Sequence, residues 1–327
     1  MNASSGLMVG KVVMVTGGTG GIGKATVLGL ATLGAKVVAV GRDRERAEAS
    51  VAEIRTASRN PNVELMLADL SSQADVRRLA KEFMEKYDRL HALVNNAGVM
   101  SAKRQETVDG IELNLAVNHL APFLLTHLLL PALEAGAEAG SLSRVVNVTS
   151  GAHRFGKLDL DDMLAEENYS VMGTYARAKL ANVMSTYELA RRMMIAGTKV
   201  TANVADPGGA DTPMSRSLAQ EAKDMPEVMP LWARLTAPLV MFMKTSTEDA
   251  AYSSVYLASA SEVEGVSGKY YSRKGKPVKS SKASYDTAVA QKLWRLSEEL
   301  TGLSRGESSM RLPEKGWAGK ELPYERA

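Results

Sequence analysis

The chain has 327 residues, 45% of them hydrophobic, enough to bury the core of one large α/β domain or two smaller ones. Lys and Arg total 40 against 37 Asp and Glu, a formal net charge of +3 that is too balanced to suggest a nucleic-acid partner. With no cysteine and four histidines, disulfides, thiolate chemistry and zinc-thiolate sites are excluded, and no metal site is expected.

Residues Met1 to Gly10 carry neither a basic flank nor an apolar run of signal-peptide length. Lys11 to Thr16 is a short apolar run that reads as a strand, followed at once by Gly17-Gly18-Thr19-Gly20-Gly21-Ile22-Gly23 and a helical segment from Lys24 to Leu33. In the order strand, glycine turn, helix, the glycines permit a tight turn and close backbone approach, and the helix start offers N–H groups to a pyrophosphate. The competing reading of that turn is a structural loop. Ala35 to Val40 is the second strand, ending in Gly41-Arg42. Where NAD-selective folds place a carboxylate, this chain has glycine followed by a guanidinium that could hold a 2′-phosphate, which favours NADP(H). The competing reading of Arg42 is a solvated, charged helix start.

Val63 to Ala68 predicts a third strand with Asp69-Leu70 at its end, and Gln73 to Tyr87 an amphipathic helix. A fourth strand, Ala92 to Val94, runs into Asn95-Asn96-Ala97-Gly98. The alternation implies an α/β, doubly wound parallel sheet with ligands at the carboxyl ends of its strands. Leu113 to Leu133 reads as one long helix containing Asn118. An asparagine within an apolar helix caps, faces water or works. The greasy part of that segment, Leu120 to Leu133, is interrupted by His127 and too short to span a bilayer, so a cytoplasmic protein with no membrane span is expected.

Arg144 to Ser150 is the fifth strand, ending in hydroxyls, and an acidic insertion from His153 to Ser170 follows. The helix from Val171 to Ile195 carries Tyr175 and Lys179, which stand one turn apart on a single face. An ammonium beside a phenol favours the phenolate, and the expectation is a tyrosine pKa drawn down from about 10. Lys199 to Ala205 is the sixth strand, closed by Asp206-Pro207-Gly208 and Thr212. Residues 213–245, rich in Met with Trp232 and Phe242, read as a mobile helical lid over an apolar substrate, although ordinary core packing explains the same residues. Thr247 to Ala260 is a helix, Gly268 to Tyr271 the last strand and Ser284 to Leu303 the terminal helix. Residues 304–327 are a polar tail, and nothing splits residues 1–303 into two domains.

Together these residues resemble the short-chain dehydrogenase/reductase superfamily over nearly the whole chain. The resemblance rests on Thr16-Gly17 with Gly21 and Gly23, on Asn95-Asn96-Ala97-Gly98, and on Ser150, Tyr175 and Lys179. Val117-Asn118-His119-Leu120, Tyr175 through Asn182 and Glu264 through Tyr270 narrow it to the retinol dehydrogenase and WW-domain oxidoreductase branch. It implies a Rossmann fold and a hydride transfer between NADP(H) and a small apolar alcohol, aldehyde or ketone. It implies Tyr175 as general acid or base, Lys179 as its pKa tuner and ribose ligand, Ser150 as a donor to the substrate oxygen, and Asn118 as holder of a water linking Lys179 to solvent. The cofactor contacts it implies are Gly17, Thr19, Gly21, Ile22, Gly23, Arg42, Asp69, Leu70, Asn96, Ala97, Tyr175, Lys179, Pro207, Gly208 and Thr212. It also suggests a homodimer paired through the helices at Leu113–Leu133 and Val171–Ile195.

The chain departs from the branch at Asp206, where histidine is usual, at Gly209-Ala210, and at Ala178, where serine is usual. The first two leave the substrate open, and a retinoid does not follow. Two other readings use the same scaffold: a dinucleotide-binding regulator without catalysis, and a biosynthetic reductase of a carbon–carbon double bond.

Overall fold

The computed structural model describes residues 6–138, 140–209 and 245–303. Among them, seven parallel strands form one sheet in the order β3-β2-β1-β4-β5-β6-β7. The strands are β1 Val12–Thr16, β2 Lys36–Gly41, β3 Val63–Leu67, β4 Ala92–Asn95, β5 Ser143–Val148, β6 Val200–Ala205 and β7 Tyr270–Tyr271. The order reverses between β1 and β4, the switch point where open α/β sheets bind ligands at their carboxyl edge.

The strands are near-continuous apolar runs because helices cover both faces of the sheet. Successive side chains alternate between the two cores: Val13 and Val15 pack with Val27, Leu30 and Leu257 on one face. Met14 packs with Leu79, Phe83, Leu124 and Trp294 on the other. The first layer is α1 Gly21–Thr32, α2 Arg44–Ser58 and, later in the chain, Thr247–Ser259. Helix α2 falls where the sequence showed only a charged stretch. Asp43 caps it by accepting the Arg46 N–H at 3.0 Å, and Ala47, Val51 and Ile54 supply a narrow buried stripe.

The opposite layer holds α3 Gln73–Lys86 and a second set of helices that corrects the expected single helix at Leu113–Leu133. Helix α4, Leu113–Leu128, contains a π-turn at Ala116–Leu120, and α5, Leu130–Gly136, leaves it at 59°. Two prolines explain both breaks. Pro122 has no N–H for the Asn118 carbonyl four residues back, and Pro131 has none for that of His127. No single helix among the described residues is long and apolar enough to cross a membrane, and the bent pair that passes on length and composition together is largely buried in the core.

Helix α6, Val171–Ala196, is buried from Thr174 to Met193 apart from half-buried Arg177. Helix α7 is Thr247–Ser259, and α8, Thr287–Leu300, is shorter than the expected terminal helix because Asp286 caps it by accepting the Val289 N–H. Helix α8 lies on the surfaces of α4 and α6. His119 Nε2 meets Ser297 Oγ at 2.7 Å, Trp294 packs edge-on against Phe123 with ring centroids 4.9 Å apart, and the Arg192 guanidinium stands 4.3 Å from the Trp294 ring. The chain's own last helix thus packs on both of the helices through which the resemblance suggested pairing. The expected last strand is also shorter, reduced to two residues at the sheet edge. Apart from Thr245, the expected lid lies outside the described residues, as does the tail from residue 304.

Candidate active site

The glycine turn between β1 and α1 is built by conformations that side chains resist. Gly17 and Gly21 have φ of +62° and +51°, and a Cβ on Gly23 would lie 2.0 Å from the Gly17 carbonyl oxygen. Three hydrogen bonds fix the turn against its neighbours. The Gly18 N–H donates to the Val40 carbonyl at 2.9 Å, and the N–H groups of Asn96 and Ala97 donate to Thr16 Oγ1 at 3.0 and 3.1 Å. The Asn96 amide also donates to the Thr16 carbonyl at 2.9 Å. Ile22 lies in the first turn of α1, whose N-terminus has no side-chain cap and no acidic residue. That leaves its N–H groups and positive dipole end suited to a phosphate.

Beside the turn opens a cavity of about 160 Å³ lined by Gly17, Gly41, Arg42, Asp69, Leu70, Ala97 and Val117, among others. Sequence-expected cofactor residues from four strand ends therefore share one cleft. A Cβ on Gly41 would approach the Thr19 side chain to 2.8 Å, so a carboxylate-bearing residue fits there only if Thr19 moves. Arg44 and Arg46 pair with Glu48 and Asp43, while Arg42 lines the cleft. Asp69 Oδ1 accepts from the Ser71 N–H and hydroxyl, which holds the strand-end loop in shape. Open backbone approach, an uncapped helix start and a guanidinium in one cleft fit a dinucleotide phosphate ester.

The second half of the site lies across β4 and β5. Ser150 follows β5, caps the 3₁₀ turn Gly151–Phe155 by accepting the Ala152 N–H at 3.2 Å, and stands near enough to the Tyr175 hydroxyl to oppose the rise of its pKa. Lys179 reaches under the phenol, with Nζ 5.8 Å from the Tyr175 ring centroid and donating to the Val148 carbonyl at 3.2 Å. Gly98 is the hinge of the arrangement. A Cβ there would lie 2.9 Å from Asn118 Oδ1 and 3.3 Å from Lys179 Nζ, so only a bare backbone lets both groups come this close. Asn118, Ser150, Tyr175 and Lys179 are thus brought together from three elements, α4, the end of β5 and α6. Thr212 lies outside the described residues; Pro207 is buried and Gly208, at φ +67°, is exposed after β6.

The side-chain amide of Asn118 is anchored to the protein: Oδ1 accepts the Val99 N–H at 3.1 Å, and Nδ2 donates to the carbonyls of Val99 and Asn114. Its main-chain oxygen, released by Pro122, accepts from Asn182 Nδ2 at 3.1 Å. One expectation changes: the tyrosine pKa is not drawn down. Burial pushes the Tyr175 phenol up to about 12, the Ser150 side chain opposes that rise and the Asp206 carboxylate adds to it. Lys179 is itself buried, which pushes its ammonium down to about 8, with Asp206 opposing that fall. A buried ammonium nearly six ångströms from the ring does not outweigh desolvation of the phenol.

Asp206, His153 and Tyr270 are neighbours that spacing alone did not assign. The Ser281 N–H donates to His153 Nε2 at 3.1 Å, so the proton sits on Nδ1, which donates to the Ser150 carbonyl at 2.8 Å. The only local sign of Asp206 was its departure from the branch pattern.

Residues 11–223 match the family described as short chain dehydrogenase. The chain is a short-chain dehydrogenase. The human retinol dehydrogenase 14 is 40% identical over 313 residues, covering 91% of this chain and 88% of that protein. Human polyprenol dehydrogenase is 38% identical over 295 residues, covering 90% and 86%. These relatives put this short-chain dehydrogenase in the retinol dehydrogenase-like branch and make it an oxidoreductase of alcohols or carbonyl compounds. Among solved structures, an uncharacterised protein of Mycobacterium paratuberculosis is 30% identical with a TM-score of 0.71, covering 93% of this chain and 96% of that one. The Pseudomonas aeruginosa RhlG/NADP active-site complex is 27% identical with a TM-score of 0.63, covering 82% and 96%.

Proposed function

We propose that this short-chain dehydrogenase interconverts an apolar alcohol and its carbonyl compound with NADP(H), with Tyr175 as the proton-transfer group. The observation that carries the reading is the convergence of Tyr175, Lys179 and Ser150 at the end of β5: the Lys179 ammonium stands 5.8 Å from the Tyr175 ring and donates to the carbonyl of Val148, two residues before Ser150, beside the glycine-turn cleft. Bound NADP(H) supplies the hydride chemistry. Gly17, Thr19, Gly21, Ile22 and Gly23 would hold its pyrophosphate, Arg42 its 2′-phosphate, Asp69 and Leu70 its adenine, and Lys179 its nicotinamide ribose.

In the reducing direction Tyr175 donates its proton to the substrate oxygen while the Ser150 hydroxyl donates a hydrogen bond to the same atom. A phenol held near 12 keeps that proton at neutral pH until the oxygen of the substrate becomes basic. Lys179 offsets the charge left on the phenolate. The apolar preference is supported by large side chains left exposed near the phenol. Met172 lies one turn before Tyr175 and is 53% exposed, and Phe155, on the turn that packs against Ala176 through Gly156, is 77% exposed. The relatives named for retinol and polyprenol, both long apolar alcohols, point the same way.

The test follows NADPH consumption spectrophotometrically against apolar aldehydes and ketones, and NADP⁺ reduction against the matching alcohols. Turnover is expected with at least one long apolar substrate, and Tyr175→Phe is expected to lower kcat by about 10²–10⁴ while leaving NADPH binding unchanged. Normal turnover in that variant would remove Tyr175 from the proton-transfer step.

A further inference from the structure

Asp206 follows β6 directly, and Ala205 before it is paired with Val148 on β5, whose carbonyl accepts the Lys179 ammonium at 3.2 Å. Asp206 Oδ1 accepts the Gly208 N–H at 2.9 Å, and its Oδ2 accepts the Tyr270 hydroxyl. The same oxygen lies 3.9 Å from where a Cβ on Gly151 would be, which sets the carboxylate directly against the loop that carries Ser150. One oxygen is thus held by the loop after β6 and the other by Tyr270 on β7, whose ring is packed in turn on His153 at 5.1 Å. The carboxylate is held at both oxygens.

We propose that Asp206 is a positioning residue whose clamped carboxylate keeps the Tyr175–Lys179 pair protonated, holding the site as a proton donor for carbonyl reduction. The proposal rests on Tyr175 being the proton-transfer group. The groups that meet Asp206 come from every neighbouring element among the described residues. They are Tyr175 and Lys179 on α6, His153 and Arg154 on the turn after β5, Tyr270 on β7, and Arg273 just beyond it, whose side chain packs on Gly208 and donates to Thr245. Two of these titrate near the reaction. An anion beside Lys179 favours its ammonium, and an anion beside Tyr175 disfavours its phenolate, so both act to retain the proton. Arg154 and Arg273 are turned to other partners: Arg154 donates to the Lys279 carbonyl and Arg273 to the Thr245 hydroxyl. Histidine, the residue usual in this branch, would lack that charge when neutral and would act in the opposite sense only when protonated.

Two measurements on Asp206→Asn, Tyr270→Phe and the intact chain test this. The first is the pH dependence of alcohol oxidation, whose rising limb reports deprotonation of the coupled pair. Asp206→Asn is expected to move that limb to lower pH by about one unit, roughly a tenfold gain in kcat/KM at fixed pH on the limb. Tyr270→Phe, which releases one carboxylate oxygen without removing the charge, is expected to move it less and in the same direction. The second needs no turnover: the Lys179 titration midpoint is read by NMR of lysine labelled with ¹³C at Cε and assigned by loss of the signal in Lys179→Met. That midpoint is expected to fall in Asp206→Asn. Unchanged midpoints in both variants would overturn the role of Asp206, even with full activity. A chain without any turnover would instead refute the proposed function, and the NMR arm would still decide the electrostatic role. Should Asp206→Asn fail to fold, Tyr270→Phe carries both measurements.

Discussion

The side-chain amide of Asn182 donates to the main-chain oxygen of Asn118 at 3.1 Å, across the interface between the helix of Asn118 and the helix of Tyr175 and Lys179. That oxygen is available because Pro122, four residues on, has no N–H to give it. A helix defect written into the sequence thus becomes the joint between the asparagine and the tyrosine–lysine helix.

Removing the joint should be felt twice. Asn182→Ala leaves a buried carbonyl short of a partner, expected to cost about 1–3 kcal/mol of stability and to lower turnover by loosening Asn118 and Gly98. Pro122→Ala in the same background restores an N–H within reach, so the double variant should recover part of the loss. Urea denaturation of the four proteins measures the coupling, and strict additivity would dismiss the joint.

Cofactor choice should lie with Arg42. Arg42→Ala is expected to weaken NADPH by about 10- to 100-fold, the worth of a charge-assisted hydrogen bond to a phosphate, and leave NADH unchanged. Fluorescence titration with both cofactors measures it. An equal loss for the two would mean that Arg42 supports the loop rather than the 2′-phosphate.

The buried ammonium makes a stability prediction with a definite sign. Burial holds Lys179 at about 8 in the folded chain against 10.5 normally, so the folded state binds fewer protons than the unfolded state between those values. The penalty is full below pH 8 and fades as pH rises towards 10.5. Lys179→Met is therefore expected to be inactive yet more stable by about 2 kcal/mol at pH 7, with the gap closing at alkaline pH. Thermal melts from pH 7 to 10 show this; a gap that widened with pH would contradict it.

Trp294 is fully buried where α8 meets α4 and α6, edge-on to Phe123 and beneath Arg192. Trp294→Ala is expected to cost about 3–5 kcal/mol, read by urea denaturation. A loss under 1 kcal/mol would mean that the last helix is only loosely attached.

Much of this site could be read from the chain alone. Tyr175 and Lys179 declare themselves by a spacing of four, and the glycine turn by its place between an apolar run and a helix. Gly41 before Arg42 was likewise visible, although its reason, the contact a Cβ would make with Thr19, was not. The extent of helix α2 is hard to read from the chain because its apolar stripe is narrow and its surface charged, and the apolar run at Leu113–Leu133 hides the two prolines that break it.

What the sequence determined by itself is therefore the alternation of elements, their strand-end motifs and the local pairing of phenol and ammonium, because these depend on periods of two and 3.6 along a single segment. Only the tertiary structure decided that Asp206 lies against the loop that carries Ser150, that α8 packs on α4 and α6, and that burial makes the phenol hold its proton more tightly than in water. Those outcomes depend on which strand ends lie side by side and how much water they exclude, and neither quantity is encoded in any one stretch of the chain.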